Sequence, residues 1–323
     1  MTHPSLPCVE MIRQRAELLR DLRSFFDGRG FLEVQPPCLS RDCVIDAYID
    51  PIAIASEQLQ IAEDLPLQMF LQTSPELAMK RMLAAGAPSI YAIVPVFRGG
   101  ESGDHHNVEF SMLEWYEVGA DIDDCIRTLG QLASTVLGSD GYDVKNYRTV
   151  FSEFLGFDPI LVSTDDLARH VQPIDTDLAA SIAGDRDMML DVVLSNLIQP
   201  KLGLDRPLII KNYPISQAAL ARQAKDDPQC AARFELIVGG IELANGYDEL
   251  TDADVLVQRA QQSNQLRIAS GRTPLRVESS LVEAMRIGLP KCAGVAMGVD
   301  RLLMIRAGET SLQRVLPFKI GQA

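Results

Sequence analysis

The chain has 323 residues, which by length alone suits one or two domains, and 47% hydrophobic with 23% charged residues excludes a disordered polypeptide. A formal net charge of −14 counts against a general nucleic-acid binder, whose affinity comes mostly from neutralised phosphates, and leaves room only for a local basic patch. No apolar run reaches the roughly 18 residues of a membrane span, the N-terminus lacks the apolar core and cleavage site of a secretory signal, and six scattered cysteines without a C-x-x-C pair suit reduced thiols in a cytoplasmic protein.

In chain order, apolar residues at helical spacing run from 9 to 28, where Gly28 and Gly30 stop the pattern. GFLEVQPPCLS (30–40) reads as a short strand broken by Pro36 and Pro37. Residues 74–86 predict a helix with Ser74 as N-cap, Pro75 at the first helical position, Glu76 in the first turn and Gly86 at the end. YAIVPVF (91–97) predicts a strand, GGESGDHHN (99–107) a polar loop, and EFSMLEWYEV (109–118) a strand with Phe110, Met112, Glu114, Tyr116 and Val118 on one face. Residues 120–138 and 183–199 read as helices, and the stretch around 140–205 as a helical insertion. A hairpin is expected over 233–250 around Gly239–Gly240, a helix over 276–288, and a strand-to-helix unit in CAGVAMGVDRLLMIRAG, turning near Gly298. Antiparallel strands mixed with helices predict an α+β fold, an antiparallel sheet flanked by helices, with no clean domain boundary along 1–323.

Four clusters carry chemistry. In the hairpin, a two-residue Gly-Gly loop sets Ile237 opposite Glu242, so that Glu235, Ile237, Glu242 and Ala244 share a face and the two glutamates are diagonal neighbours about 7–8 Å apart. Carboxylates at that distance repel unless a cation such as Mg²⁺ with nucleotide phosphates joins them; a solvated acidic edge explains the same pattern equally well. A bulge at Asn245–Gly246 would turn Asn245, Tyr247 and Glu249 to the same side. On strand 109–118, Glu114 and Tyr116 beside Phe110 suit a ligand with an ammonium end and a flat ring, although an ordinary half-buried strand looks alike. The loop after Arg98 contains Gly99, Gly100 and Gly103 and offers a guanidinium for a carboxylate or phosphate, or is simply a hairpin loop. In GVAMGVDR (294–301), small residues admit a ligand to the backbone and Arg301 falls in a first helical turn, which favours anions; close packing of a helix on a sheet gives the same pattern.

The order of these motifs resembles a class II aminoacyl-tRNA synthetase catalytic core. GFLEVQPP resembles motif 1, with Pro37 its proline, FR…HNVEFSMLEWY motif 2, and GVAMGVDR motif 3; TSPELAMKR and GIELANGYDEL further resemble the lysyl enzymes. The resemblance runs from about residue 10 to the C-terminus. With motif 1 so near the start, no anticodon-binding domain is expected, and 1–323 is expected to be a single class II synthetase-like catalytic domain. Together with TSPE, HN-x-EF-x-MLEWY and GIELANG, this is similar to the elongation factor P–(R)-β-lysine ligase family, truncated paralogues of lysyl-tRNA synthetase. Ala296, where lysyl-tRNA synthetases usually carry Gly, is the alanine that family associates with the β-amino acid.

What the resemblance implies is an ATP-dependent, AMP-forming ligase that activates (R)-β-lysine or lysine and attaches it to a lysine of elongation factor P, in a cytoplasmic homodimer formed near residues 10–40, without a membrane and without tRNA. It assigns Arg98 and Arg301 to catalysis; Arg98, Gly99, Gly100, Asn107, Phe110, Glu242, Leu243, Gly298 and Arg301 to ATP; Glu235 and Glu242 to Mg²⁺. The amino acid falls to Ser74, Pro75, Glu76, Tyr116, Glu249 and Ala296, supported by Glu114 and Asn245. Asp248 receives no role. One departure stands out: the family's F-R-N-E reads Phe97-Arg98-Gly99-Gly100 here, followed by Glu101. Against this reading stand a class II ligase with another acceptor, tRNA or a small molecule, and an inactive regulatory paralogue. Gly100 keeps the inactive paralogue open; retention of both arginines and both metal-pair glutamates argues against it.

Overall fold

The computed structural model describes residues 8–61 and 65–318. In chain order its elements are α1 (Val9–Asp27), β1 (Leu32–Glu33), β2 (Leu39–Ser40), β3 (Ala53–Ala55), β4 (Gln68–Leu71), α2 (Glu76–Ala84), β5 (Ile90–Phe97), β6 (Glu109–Val118), α3 (Ile122–Leu137), β7 (Asp143–Asn146), α4 (Tyr147–Leu155), α5 (Thr164–Val171), α6 (Thr176–Ser181), α7 (Arg186–Val193), β8 (Leu208–Pro214), β9 (Cys230–Val238), β10 (Ile241–Asp248), α8 (Ala253–Ala269), α9 (Ser280–Gly288), β11 (Cys292–Gly298) and α10 (Val299–Arg306). The chain packs as two compact units, Met1–Ala120 with Leu250–Ala323, and Asp121–Glu249.

In the first unit β6 is central. It pairs antiparallel with β5 and with β11, and β1 joins parallel to the far edge of β5. A separate three-stranded sheet is formed by β2, β4 and β3. The helix expected at the N-terminus forms because Leu18, Leu22, Phe25 and Phe26 fall on one buried stripe. Phe26 stacks on Tyr91 of β5 at 4.8 Å and meets Trp115 of β6 at 5.1 Å. Behind the other face, Met79 and Leu83 of α2 and Leu281, Val282 and Met285 of α9 pack with Ile90, Val94, Met112 and Tyr116. The helix α2 begins at Glu76, with Pro75 in the cap position; Ser74 still serves it, its Oγ accepting from the Glu76 N–H at 3.0 Å.

In the second unit β9 pairs antiparallel with β10 and β8, and β7 lies parallel to β8. Helices α4, α5 and α7 bury Tyr147, Phe151, Leu167, Met189 and Val193 against Leu208, Ile210 and Ile237. The hairpin turns through Gly239 and Gly240, whose φ angles of 58° and 77° require glycine. Its first pairs are Ile241↔Val238 and Glu242↔Ile237, as the loop length predicts.

The bulge expected at Asn245–Gly246 lies instead at Leu243, between the pairs Glu242↔Ile237 and Ala244↔Leu236. Leu243 and Ala244 are both buried, and the extra residue lets these two consecutive apolar side chains leave solvent. Ala244 therefore lies on the opposite face from Glu235, a correction to the face assignment above. Asn245 now pairs directly with Glu235, and Tyr247 with Arg233.

Candidate active site

The first unit builds a buried ionic pocket on β6. Glu114 is 2% exposed. Its Oε1 accepts from the Tyr116 hydroxyl at 2.7 Å and its Oε2 from the Ser74 hydroxyl at 3.1 Å. Glu76, also buried, pairs with the buried Lys80 one turn along α2. The Lys80 Nζ lies 5.8 Å from the centre of the Tyr116 ring. Burial, and next the charge of Glu76, push the Glu114 carboxyl up to about 8, against the hydrogen bonds from Tyr116 and Ser74 and the charge of Lys80. Small residues flank this carboxylate: Ala92 of β5 and Ala296 of β11 stand directly opposite Glu114, and Gly294 opposite Tyr116. Ser74, Glu76, Glu114, Tyr116 and Ala296 are thus gathered in one place, with Pro75 opening the helix that carries Glu76. Lys80 was missed; its signal was the Glu76–Lys80 spacing of four in TSPELAMKR.

At the other end of β6, Arg98 continues the β5 ladder, its N–H donating to the Val108 carbonyl at 2.9 Å. Its guanidinium lies 5.1 Å from the centre of the Phe110 ring, its Nε donates to the Thr73 carbonyl at 3.4 Å, and Glu101 approaches it at 3.7 Å. Gly100 has a φ of +79°, a turn conformation that a glutamate would occupy only under strain. The Asn107 amide donates to the Glu109 carbonyl at 2.7 Å and is buried. Arg301, in the first turn of α10, donates to the His105 carbonyl at 2.9 Å and to His106 Nε2 at 2.8 Å. Desolvation and then the Arg301 charge lower the pKa of His106. Gly298 needs no glycine for the chain's own packing, because a Cβ there would meet Arg301 only at 3.9 Å. The neighbouring Asp300 is 2% exposed, accepts the Ser111 N–H at 2.6 Å and pairs with Arg15 of α1, fixing the start of α10 against β6.

The second unit builds an acidic face on β9 and β10. Glu235 accepts from the Tyr213 hydroxyl at 2.6 Å through Oε2 and from Arg233 at 2.5 Å through Oε1. Tyr213 reaches it through a second bulge: β8 shifts register between Lys211 and Tyr213, where Asn212 has a φ of +63°. Glu242 lies diagonal to Glu235 on the same face, and the Asn245 amide lies 3.5 Å from its Oε1. Leu243 occupies the bulge. Glu249 is 1% exposed and its carbonyl accepts from Arg222 at 2.7 Å; the same Arg222 pairs with Asp248 at 3.1 Å, which gives Asp248 a structural partner. Among the described residues no group of three or more His, Cys, Asp or Glu is arranged to hold a metal ion. A hard cation takes oxygen donors and keeps water and phosphate in its remaining positions; Glu235 and Glu242 are donors of that kind, but both Glu235 oxygens are engaged by Tyr213 and Arg233 and the pair forms no cage of its own.

A family model for class II tRNA synthetases (D, K and N) matches residues 7–321. The chain belongs to the class II tRNA synthetases. That membership carries the α+β core with its antiparallel sheet and helices, and places the chain among ATP-dependent ligases. Curated relatives resemble it over nearly their full length. An elongation factor P–(R)-β-lysine ligase of Baumannia cicadellinicola is 38% identical over 309 residues, 96% of this chain and 94% of the relative. One from Yersinia enterocolitica is 37% identical over 320 residues, 99% and 98% of the two chains. One from Salmonella gallinarum is 37% identical over 310 residues, 96% and 95%. For this class II chain no described helix is long and apolar enough to cross a membrane.

Proposed function

We propose that this chain activates (R)-β-lysine, or lysine, with ATP as an aminoacyl-adenylate and transfers it to the side-chain amine of a lysine on elongation factor P. The observation that supports this reading is the buried pocket of Glu76, Glu114, Tyr116 and Ser74 beside Ala296, which would suit an ammonium-bearing amino acid, in a chain that is similar over almost its whole length to ligases of that name.

Ser74, Pro75, Glu76, Tyr116 and Glu249 would bind the amino acid, with Glu114 and Asn245 behind them and Ala296 limiting its shape. Phe110 would stack on adenine, and Asn107, Glu242, Leu243, Gly99, Gly100 and Gly298 would line the nucleotide. Arg98 and Arg301 would neutralise charge as the substrate carboxylate attacks the α-phosphorus and pyrophosphate leaves. Glu235 and Glu242 would hold Mg²⁺, which supplies positive charge to the phosphates when bound. The acceptor amine then attacks the acyl carbon and AMP departs. Glu101, already near Arg98, takes the place that Gly100 leaves without a carboxylate. The protein would work as a homodimer in the cytoplasm, without tRNA, and the formal charge of −14 supports the last point.

The test is the intact mass of elongation factor P after incubation with this protein, ATP and either lysine isomer. A one-lysyl increase, larger with the β isomer, is expected. Normal ATP–pyrophosphate exchange with no mass increase would transfer the adenylate chemistry to another acceptor, and absence of both would favour the inactive paralogue.

A further inference from the structure

Arg267 has no part in the roles assigned above, yet it is 3% exposed and uses its whole guanidinium fork. Its Nε donates to the Thr273 carbonyl at 3.0 Å, its Nη1 to the carbonyls of Asp46 and Ile49 at 2.9 Å each, and its Nη2 to Asp50 Oδ1 at 3.0 Å. Arg272 holds the other Asp50 oxygen at 3.1 Å. The Asp46 side chain closes the same turn, accepting from the N–H groups of Tyr48 at 2.7 Å and Ile49 at 3.1 Å. Residues 46–50 are therefore fastened from both sides to the C-terminal end of α8.

This turn meets the arginine loop. The Gly99 N–H donates to the Asp50 carbonyl at 2.7 Å, and Asp50 and Gly99 form an isolated antiparallel bridge. A Cβ on Gly99 would lie 3.2 Å from that carbonyl oxygen, so the close approach leaves little space for a side chain. Gly99 and Gly100 follow Arg98 directly, and neither has a side chain to pack. Two adjacent glycines carry a large backbone entropy to be lost on ordering. Gly99 is fixed by its main-chain hydrogen bond to Asp50, beside Arg98, whose N–H donates to the Val108 carbonyl and whose side chain reaches the Thr73 carbonyl.

We infer that the Arg267–Asp50–Arg272 clasp is a positioning device for Arg98 and the loop that follows it, and that Arg267 and Asp50 are positioning residues for the nucleotide half of the reaction. The inference rests on the proposed role of Arg98. A planar, five-donor fork suits this task and an ammonium does not, since Arg267 spans three carbonyls and a carboxylate at once.

The test uses the full-length protein with Asp50→Ala and, because Asp50→Ala leaves a buried arginine short of one partner, also the more exposed Arg272→Ala. ATP–pyrophosphate exchange with lysine gives KM for ATP and for the amino acid, and amide hydrogen exchange reads the 99–107 peptides without reference to activity. The expected result is a KM for ATP raised on the order of fivefold to twentyfold in Asp50→Ala and less in Arg272→Ala, with KM for lysine within twofold. Faster exchange in 99–107 should accompany it in both variants, with near wild-type melting in Arg272→Ala and a lowered melting temperature in Asp50→Ala, whose buried Arg267 loses its carboxylate, and Arg272→Lys should recover part of the loss. An unchanged KM for ATP with unchanged loop exchange overturns the clasp; equal losses for ATP and lysine reduce it to general loosening and also overturn it. If the wild-type protein shows no exchange with any lysine isomer, the reading of Arg98 fails, and the hydrogen-exchange result still decides whether the clasp orders the loop.

Discussion

Ala296 stands directly opposite Glu114 across the β6–β11 ladder, so its methyl group borders a carboxyl that is 2% exposed. Adjacent strands bring facing Cβ atoms to about 4.5–5.5 Å. A single methyl at that distance alters the shape available beside the acid, and such a difference is worth about 1–3 kcal/mol. Ala296→Gly should therefore move the ratio of kcat/KM for β-lysine over lysine towards lysine by roughly tenfold to a hundredfold in pyrophosphate exchange. A ratio that does not move would remove Ala296 from the specificity pocket.

Glu114 should release a proton when the amino acid binds. With its carboxyl pushed up to about 8, the group is mostly protonated at neutral pH, and an arriving ammonium lowers that value. Calorimetry in buffers of different ionisation enthalpy should show net proton release at neutral pH, absent in Glu114→Gln. The same shift bears on stability. A carboxyl raised from 4.5 to about 8 in the folded chain contributes stability that is fully present below 4.5 and is lost as pH rises through about 8. Melting temperature should fall less steeply over that window in Glu114→Gln than in the parent.

Lys80→Met should be strongly destabilising, by about 3–5 kcal/mol, because it leaves Glu76 buried without its cation. Combining it with Glu76→Gln should restore part of the loss. Chemical denaturation of the three variants measures this, and equal stability of single and double variants would contradict it.

Glu249→Gln keeps the shape of a side chain that is 1% exposed and removes its charge. Binding of the amino acid should weaken by tenfold or more, and binding of ATP by less than threefold. Equal losses measured by titration would argue for a purely structural role.

Val9, Ile12 and Leu32 are exposed apolar residues, 62%, 46% and 52%, on α1 and β1. They lie where the class II resemblance puts a dimer interface. Sedimentation at micromolar concentration should give a dimer, and Ile12→Asp should shift it towards monomer.

Regular elements were legible where side-chain period and burial agree. The α1 stripe and the Gly-Gly hairpin follow from spacing; β6 was legible as a strand, but Met112–Tyr116 are buried on both faces rather than alternately. The 17-residue α8 was not read, because its buried positions are Ala253, Ala260, Asn264 and Arg267, a helical stripe without large apolar residues. The site was legible as residue types, but its geometry depended on two bulges. One at Leu243 brings Asn245 opposite Glu235, and one at Asn212 turns Tyr213 onto the same carboxylate. Each is a one-residue shift that leaves hydrophobic content unchanged, so alternation alone cannot locate it. Arg267 was invisible for a similar reason: its partners are mostly carbonyls, which every residue supplies.

The first unit is interrupted in sequence, leaving at Ala120 and resuming at Leu250, with β6 before the interruption and its neighbour β11 after it. A ribosome therefore finishes the whole second unit before it delivers the strand that completes the first. Until then β6 has β5 on one side and an open edge on the other, carrying Glu114 and Tyr116 in an unfinished pocket. Pairing across so long a separation is slow, and unpaired strand edges attract other chains meanwhile. Nascent chains stalled between 250 and 292 should be the aggregation-prone stage of this protein's synthesis, and early, independent folding of 121–249 would shorten the gap that β11 has to close.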